Sequence, residues 1–476
     1  MMKKLHYLVV LGFFSILKLQ AQTAPDKCAL EIAEQSIKAL GGKSRISAIN
    51  NLQISGYGYK NAIEQSERFE GPYIPVNFNF KSVLDFKDTL EQYEEEQKFV
   101  IYSFGRKYLL DKNCVALKLP KGSFFPLAQN QSMQDDLYLN PLNILDKAIN
   151  SSSLVCLKDT MIHGILNKRI KFLWNNYPVI ISINQNTNLF TCVEIRKPYS
   201  NDYFNTWGDL NKVIYYSAWD LLENGVHYPR QKDIYFLGRL WETSMIMEFV
   251  INTPFSADSV RIPADIQQAS MDFWKSNSSQ IKKTMERKKE IAKDIWLIPG
   301  PCNSTVVKQN NELVIIESPN TSSNTDQIIE EAKKIFPGTS LNYIVTTSDA
   351  WLHCGGVRSA AANATVVALS ANKQIIESLL KADFKTEPDI WQNMKIKKPK
   401  IKYVDMPTEL GVGTNRIKLI PFRTETGERM MMVYFPEYKL LYASDLLQPS
   451  GFIEHYNWEV IQAVKREKLE VEKIYS

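Results

Sequence analysis

Apolar positions recur in two different rhythms along this chain, and the change of rhythm divides it. Ala29, Ile32, Ala33, Ile37 and Leu40 fall at helical spacing, behind Asp26 as a capping residue and ahead of Gly41-Gly42. That pattern predicts one helix. From Leu52 the texture turns to short apolar and aromatic runs. They include Leu52-Gln53-Ile54 and residues 98–104, 169–174, 179–183, 189–195, 213–216, 233–237 and 245–251. Turn-forming stretches at 184–188 and at Glu223-Asn224-Gly225 separate several of them. One leading helix followed by many strands predicts an antiparallel, strongly curved sheet.

Residues 264–292 are polar and helical in pattern, with Lys282, Lys283, Lys288 and Lys289 among Glu286 and Glu290. Beyond them strand and helix patterns alternate. Strands are predicted at 294–298, 304–308, 313–317, 341–345, 365–369, 401–404, 417–421, 430–435 and 440–442, and the fragment 471–475 closes the chain. Helices are predicted at 324–335, 357–363, 373–380 and 457–469. The fold class is therefore α+β, with a curved antiparallel sheet domain followed by an αββα sandwich. The predicted divisions are 1–21 as a signal peptide, 22–265 as the β-rich domain, 266–293 as a helical linker and 294–476 as the sandwich.

Composition supports a folded protein of more than one core: 476 residues, 44% hydrophobic and 23% charged. Lys3-Lys4, the apolar run 8–17 and Leu19-Gln20-Ala21 form a secretory signal pattern. They predict cleavage after Ala21 and an exported protein, periplasmic or extracellular. The run is short for a membrane span and Lys18 interrupts its end, so no stable span is expected after cleavage. Cleavage removes three of the 57 Lys+Arg and none of the 52 Asp+Glu, leaving a balance of +2. That excludes a nucleic-acid footprint. The lysine run at 395, 397, 398, 400 and 402 reads as a charged sheet edge that blocks association.

Six cysteines, Cys28, Cys114, Cys156, Cys192, Cys302 and Cys354, are widely spaced without a Cys-x-x-Cys. Export permits disulfides, but spacing leaves both pairing and plain buried thiols open. His163 and His227 stand beside turn residues and read as turn histidines. The aromatics of the first half, such as Tyr215, Tyr216, Trp219 and Trp241, suit a sheet core or the lining of an apolar groove.

Candidate chemistry concentrates in Thr347-Ser348-Asp349-Ala350-Trp351-Leu352-His353-Cys354-Gly355-Gly356, a loop between a predicted buried strand and a helix. The stretch resembles the first metal motif of the metallo-β-lactamase fold superfamily, Thr-His-x-His-x-Asp-His followed by Gly-Gly. Ser348, Ala350 and Leu352 stand where that family has His, His and Asp, and His353 alone matches a ligand. Residues 313–319 resemble the family's strand ending in a small residue and Pro, and residues 435–445 its hairpin carrying a bridging Asp, here Asp445. Arg423 falls near the position of the next family His. The resemblance runs from about residue 288 onward.

The family's hydrolytic chemistry uses one or two zinc ions, each with about three protein ligands. His353 and Asp445 are the surviving metal matches, and a cation at Arg423 opposes a second cation, so a dinuclear zinc site is not expected. Asp349 and His455 are substitutes that would complete a site of Asp349, His353, Asp445 and His455. Without metal, Asp349, His353 and Asp445 are candidate acid–base groups, with Arg423 holding a carboxylate or an oxyanion. Arg423 is also expected to reach Asp445 and fill the space of an ion. Cys354 is a thiol beside His353, read as a packed residue at a helix start rather than a nucleophile. The leading expectation is an exported protein of hydrolase-like fold without the usual dinuclear zinc. One alternative is a working ester, amide or lactone hydrolase using Asp349, His353 and Asp445. The other is a carrier whose curved sheet holds an apolar small-molecule ligand.

Overall fold

The structure is a computed structural model. It describes residues 25–476 except 64–65, 101, 113, 120–121, 128–130, 201–203, 255, 257–260, 271–283, 301, 396, 412 and 449–452. The predicted signal, 1–21, and the middle of the predicted linker, 271–283, lie outside the described residues.

Asp26 starts the first helix among the described residues, Lys27–Ala39, by accepting the Cys28 N–H at 2.9 Å on one carboxylate oxygen. Its other oxygen accepts the Cys156 N–H at 3.1 Å, and a Cys28–Cys156 disulfide fastens the helix to the sheet edge at the same point. Ala29, Ala33 and Leu40 are buried, so the helical spacing marks the covered face. Gly41 and Gly42 both take positive φ, which ends the helix in the way an L side chain resists.

The strand runs of the first half form one sheet of thirteen strands. It consists of two antiparallel meanders, Asn51–Asn61 through Phe124–Leu127 and Val155–Ile162 through Arg239–Ile251. They join because the first strand, Asn51–Asn61, pairs with the last, Arg239–Ile251, setting Leu52 opposite Ile251 and Lys60 opposite Glu242. One expectation is corrected here: the first half has further helices, at Gln131–Tyr138 and Ile144–Ile149, between the meanders. Their burial of Leu137, Ile144, Leu145 and Ala148 needs only one or two turns, too short a stretch for helical periodicity to stand out.

The second half holds two mixed sheets. In the first the order is Lys289–Ala292, Ile295–Ile298, Ser304–Gln309, Glu312–Ile316, Ser340–Val345, Thr365–Leu369 and Ile401–Val404, with the last four strands parallel. In the second it is Thr408–Leu410, Ile417–Pro421, Met431–Phe435, Leu440–Tyr442 and Lys473–Tyr475. Strand alternation decides the layers. Val307, Val314 and Ile316 face Leu419, Val433 and Phe435 between the sheets. Their neighbours Val306, Leu313 and Ile315 turn outward to Ile328, Ile329, Val357 and Ile376 of the helices on that face. Ile420, Met432 and Leu441 turn outward to Val460 and Ala463 of Glu454–Arg466. Each such buried side chain contributes about 1.5–3 kcal/mol, and the result is helix, sheet, sheet, helix.

One sequence reading changes. Lys289–Ala292, read as the end of a helical linker, is a strand paired with Ile295–Ile298. Asp294 takes positive φ between them and closes a hairpin that outweighs the charged, helix-favouring composition. The lysine run leads into Ile401–Val404, an outer strand, with Lys400 and Lys402 exposed.

The halves meet across a continuous apolar cluster. Across it the Asp209 N–H donates to the Asp383 carbonyl at 2.6 Å, and Arg196 pairs with Asp383 at 2.9 Å.

Candidate functional site

The motif loop is held from both sides. Glu317 N–H donates to the Val345 carbonyl, Ser318 N–H to that of His353, and Gly356 N–H to that of Ser318. Thr346, Thr347 and Ser348 are fully buried. The Gly-Gly pair is a packing requirement. A Cβ on Gly355 would collide with the Asn320 carbonyl and Thr206, and one on Gly356 with the Thr325 hydroxyl.

Within this frame His353 is clamped. Its Nδ1 lies 3.1 Å from Glu317 Oε1 and its Nε2 3.7 Å from Asp445 Oδ1. Glu317 is wholly buried and takes further hydrogen bonds from the Tyr442 hydroxyl at 2.9 Å, the Thr347 N–H at 3.3 Å and the Thr347 hydroxyl. The Cys302 sulfur sits 3.6 Å from Nδ1. Burial alone would depress the imidazole pKa. The electrostatic influence of the neighbouring Cys302 and Glu317, with the Asp445 contact, overrides it and holds His353 well above its ordinary value. Burial pushes Asp445 upward, but the His353 cation brings it below the usual carboxylate value. The Asp445 side chain remains 42% exposed, so the pair opens to solvent on that side.

The other predicted site residues lie elsewhere. Asp349 is buried, but its carboxylate turns to the first half, with Oδ2 3.6 Å from Arg429 Nη1. Arg429 in turn pairs with Glu70 at 2.8 Å. Burial raises the Asp349 pKa to about 6, Arg429 opposing and Glu70 adding. Arg423 does not make the expected contact with Asp445. It is exposed, takes positive φ and donates to the Asp405 carbonyl at 2.9 Å, because the turn that follows Pro421 carries it off the sheet edge. Arg429, six residues on, is the cation that faces the motif loop. His455 does not reach back either: it pairs with Glu459 at 3.3 Å, one helical turn away, and stacks on Trp458. Cys354 is buried and donates to the Asp349 carbonyl at 3.2 Å, a packed thiol at the helix start.

Both His353 ring nitrogens face carboxylates, and Asp349 and His455 turn away. Among the described residues, the one group of three acidic, thiol or imidazole side chains close enough to share an ion is Asp26, Cys28 and Cys156. Its two sulfurs are already joined as the disulfide. Glu317, Cys302 and Arg429 were missed in the sequence. No spacing marks them, since each reaches the loop from a distant segment.

A second candidate site lies in the first half. A cavity of about 470 Å³ is bounded by the strands Leu90–Phe99, Tyr102–Leu110, His227–Phe236 and Arg239–Ile251 and by the helix Gln131–Tyr138. Aromatic side chains and buried charges share its lining.

No family model matches this sequence. No curated protein matches it. Among solved structures, it is similar to the sec-alkylsulfatase Pisa1 from Pseudomonas sp., at 15% identity and TM-score 0.30 over 39% of this chain and 37% of that one. It thus spans little more than a third of the alkylsulfatase. It is similar also to a metallo-β-lactamase from Pontibacter korlensis, at 12% identity and TM-score 0.31 over 40% of this chain and 89% of that one. An outer membrane lipoprotein-sorting protein domain from Vibrio parahaemolyticus matches at 10% identity and TM-score 0.32 over 49% of this chain and 95% of that one.

Proposed function

We propose that this is an exported ligand-binding protein. In this reading its C-terminal half, 294–476, is a metallo-β-lactamase-like sandwich that does not work as a zinc hydrolase. Its N-terminal half, 22–265, is a curved sheet holding a small molecule in the cavity over its face. The observation that carries the reading is the setting of His353: its two ring nitrogens face Glu317 at 3.1 Å and Asp445 at 3.7 Å, while Asp349 turns to Arg429 and His455 to Glu459, so the three ligands a zinc ion needs do not converge there. Export draws support from the signal pattern of residues 1–21 and from the Cys28–Cys156 disulfide, which suits an oxidising compartment. The cavity volume lies in the range of small-molecule sites.

Metal analysis and native mass spectrometry of the purified mature chain test the proposal. The expected result is well under one equivalent of zinc, no chelator-sensitive nitrocefin or phosphodiesterase turnover, and a retained small molecule. Stoichiometric zinc that is lost on His353→Ala or Asp445→Ala would restore the hydrolase reading.

A further inference from the structure

Strand alternation puts Glu91, Tyr93, Glu95 and Phe99 on the cavity face of Leu90–Phe99. Lys60, Lys212, Lys232 and Glu242 reach the same space from four other strands, and the helix Gln131–Tyr138 crosses it to add Asp136. The charges connect in series with alternating sign. Glu95 lies 2.8 Å from Lys60, Lys60 3.8 Å from Glu242, Glu242 3.9 Å from Lys232, and Lys232 3.1 Å from Asp136, which also contacts Lys212. A ladder of this kind inside a sealed core is costly to desolvate and is often replaceable by apolar residues. This one borders open volume, and the side chains of Lys60, Asp136 and Lys232 keep 20%, 25% and 28% exposure. The remaining wall is aromatic, with Phe99, Tyr102, Phe104, Tyr108 and Trp241.

We propose that this cavity binds a small zwitterion with an apolar body. The inference rests on the reading of the protein as a binding protein and adds the chemistry of the ligand. An ammonium group would meet Asp136, a carboxylate or phosphate would meet Lys60 or Lys232, and the body would lie on the aromatic wall. The balance of charge selects the class. In the ladder itself three cations, Lys60, Lys212 and Lys232, stand against three carboxylates, Glu95, Asp136 and Glu242. A ligand with one charge would leave that charge uncompensated in a semi-enclosed space, whereas a zwitterion adds one of each sign.

The same chemistry is offered by a short peptide and by a single-tailed zwitterionic lipid, and calorimetric titration of the full mature chain separates them. In one arm the probes are the dipeptide diphenylalanine, its N-acetyl form, its amide and its N-acetyl amide, which share a body and differ in charge. In the other they are dodecylphosphocholine and dodecyl maltoside below their micelle concentrations. The expected result is that at least one zwitterion binds about tenfold or more tightly than its blocked or uncharged counterparts. The arm that shows it names the source. The double variant Asp136→Asn, Lys232→Gln should lose that preference, although the comparison of head groups on the unaltered chain does not need the variant to fold. Blocked probes binding as tightly as the zwitterions would overturn the inference and leave the binding reading standing. Absence of all probe binding, in a chain that still retains a co-purified molecule, would also overturn the inference alone. Absence of both would overturn the binding reading with it.

Discussion

Glu317 Oε1 and His353 Nδ1 stand 3.1 Å apart with both side chains closed to solvent. The pair joins segments that leave two neighbouring parallel strands, Glu312–Ile316 and Ser340–Val345. Removing the imidazole would strand a buried carboxylate. His353→Ala is therefore expected to cost about 3–5 kcal/mol, read from the urea midpoint. Asp445→Ala, at a half-exposed position, is expected to cost about 1 kcal/mol or less. Equal losses would refute the assignment of Glu317 as the principal partner. The pH dependence has a definite sign. Because the folded imidazole is held above its ordinary value, its stabilisation is complete below pH 6.5 and fades as pH rises through the raised value. That alkaline fall should vanish in His353→Ala.

Glu91 carries a second pH signature. Burial raises its carboxyl pKa from 4.5 to about 7, against the Ser82 hydrogen bond and Lys232, with Asp136 adding to the rise. Its contribution is complete below pH 4.5 and is lost as pH climbs through about 7. Glu91→Gln should match the parent near pH 4 and exceed it at pH 8 by an amount on the order of 2 kcal/mol. Parallel stability curves for the two proteins would contradict this.

The disulfide gives a simple count. With Cys28 and Cys156 joined, Cys114, Cys192, Cys302 and Cys354 remain as thiols. Thiol titration of the denatured protein should give four groups before reduction and all six after it. The bridge spans a sequence separation of 128 residues, and replacing both cysteines by Ser should cost about 2–5 kcal/mol. Six free thiols in the exported, unreduced protein would remove the bridge.

Gly355 tests the seam between the halves. A methyl group there meets the Asn320 backbone carbonyl and the Thr206 side chain, and backbone yields little. Gly355→Ala should destabilise by about 1–3 kcal/mol and speed proteolysis near residues 266–293. A variant with unchanged stability and unchanged cleavage would show that this contact does not hold the seam.

Local pattern was enough for much of this architecture. The Asp26 cap, the Gly41-Gly42 stop, the strand Thr365–Leu369 and the outer strand Ile401–Val404 follow from neighbours in sequence. A cap, a turn or a two-residue period is an interaction over a few residues. The helices at 131–149 escaped because they are short, and the strand Lys289–Ala292 because its hairpin, not its composition, decides it.

The site was legible only in part. Sequence singled out His353 and Asp445 through the motif loop and the hairpin that carry them. Which groups they meet was settled by tertiary structure. Arg423 and Arg429 are indistinguishable as text, yet a positive φ turns one outward while the other faces Asp349. Glu317 and Cys302 come to His353 from segments 36 and 51 positions away, and the cavity ladder draws Lys60, Asp136 and Lys232 from three distant elements. Periodicity encodes which face of an element is covered. It does not encode what covers it, because that contact is made between elements whose separation in sequence bears no relation to their separation in space.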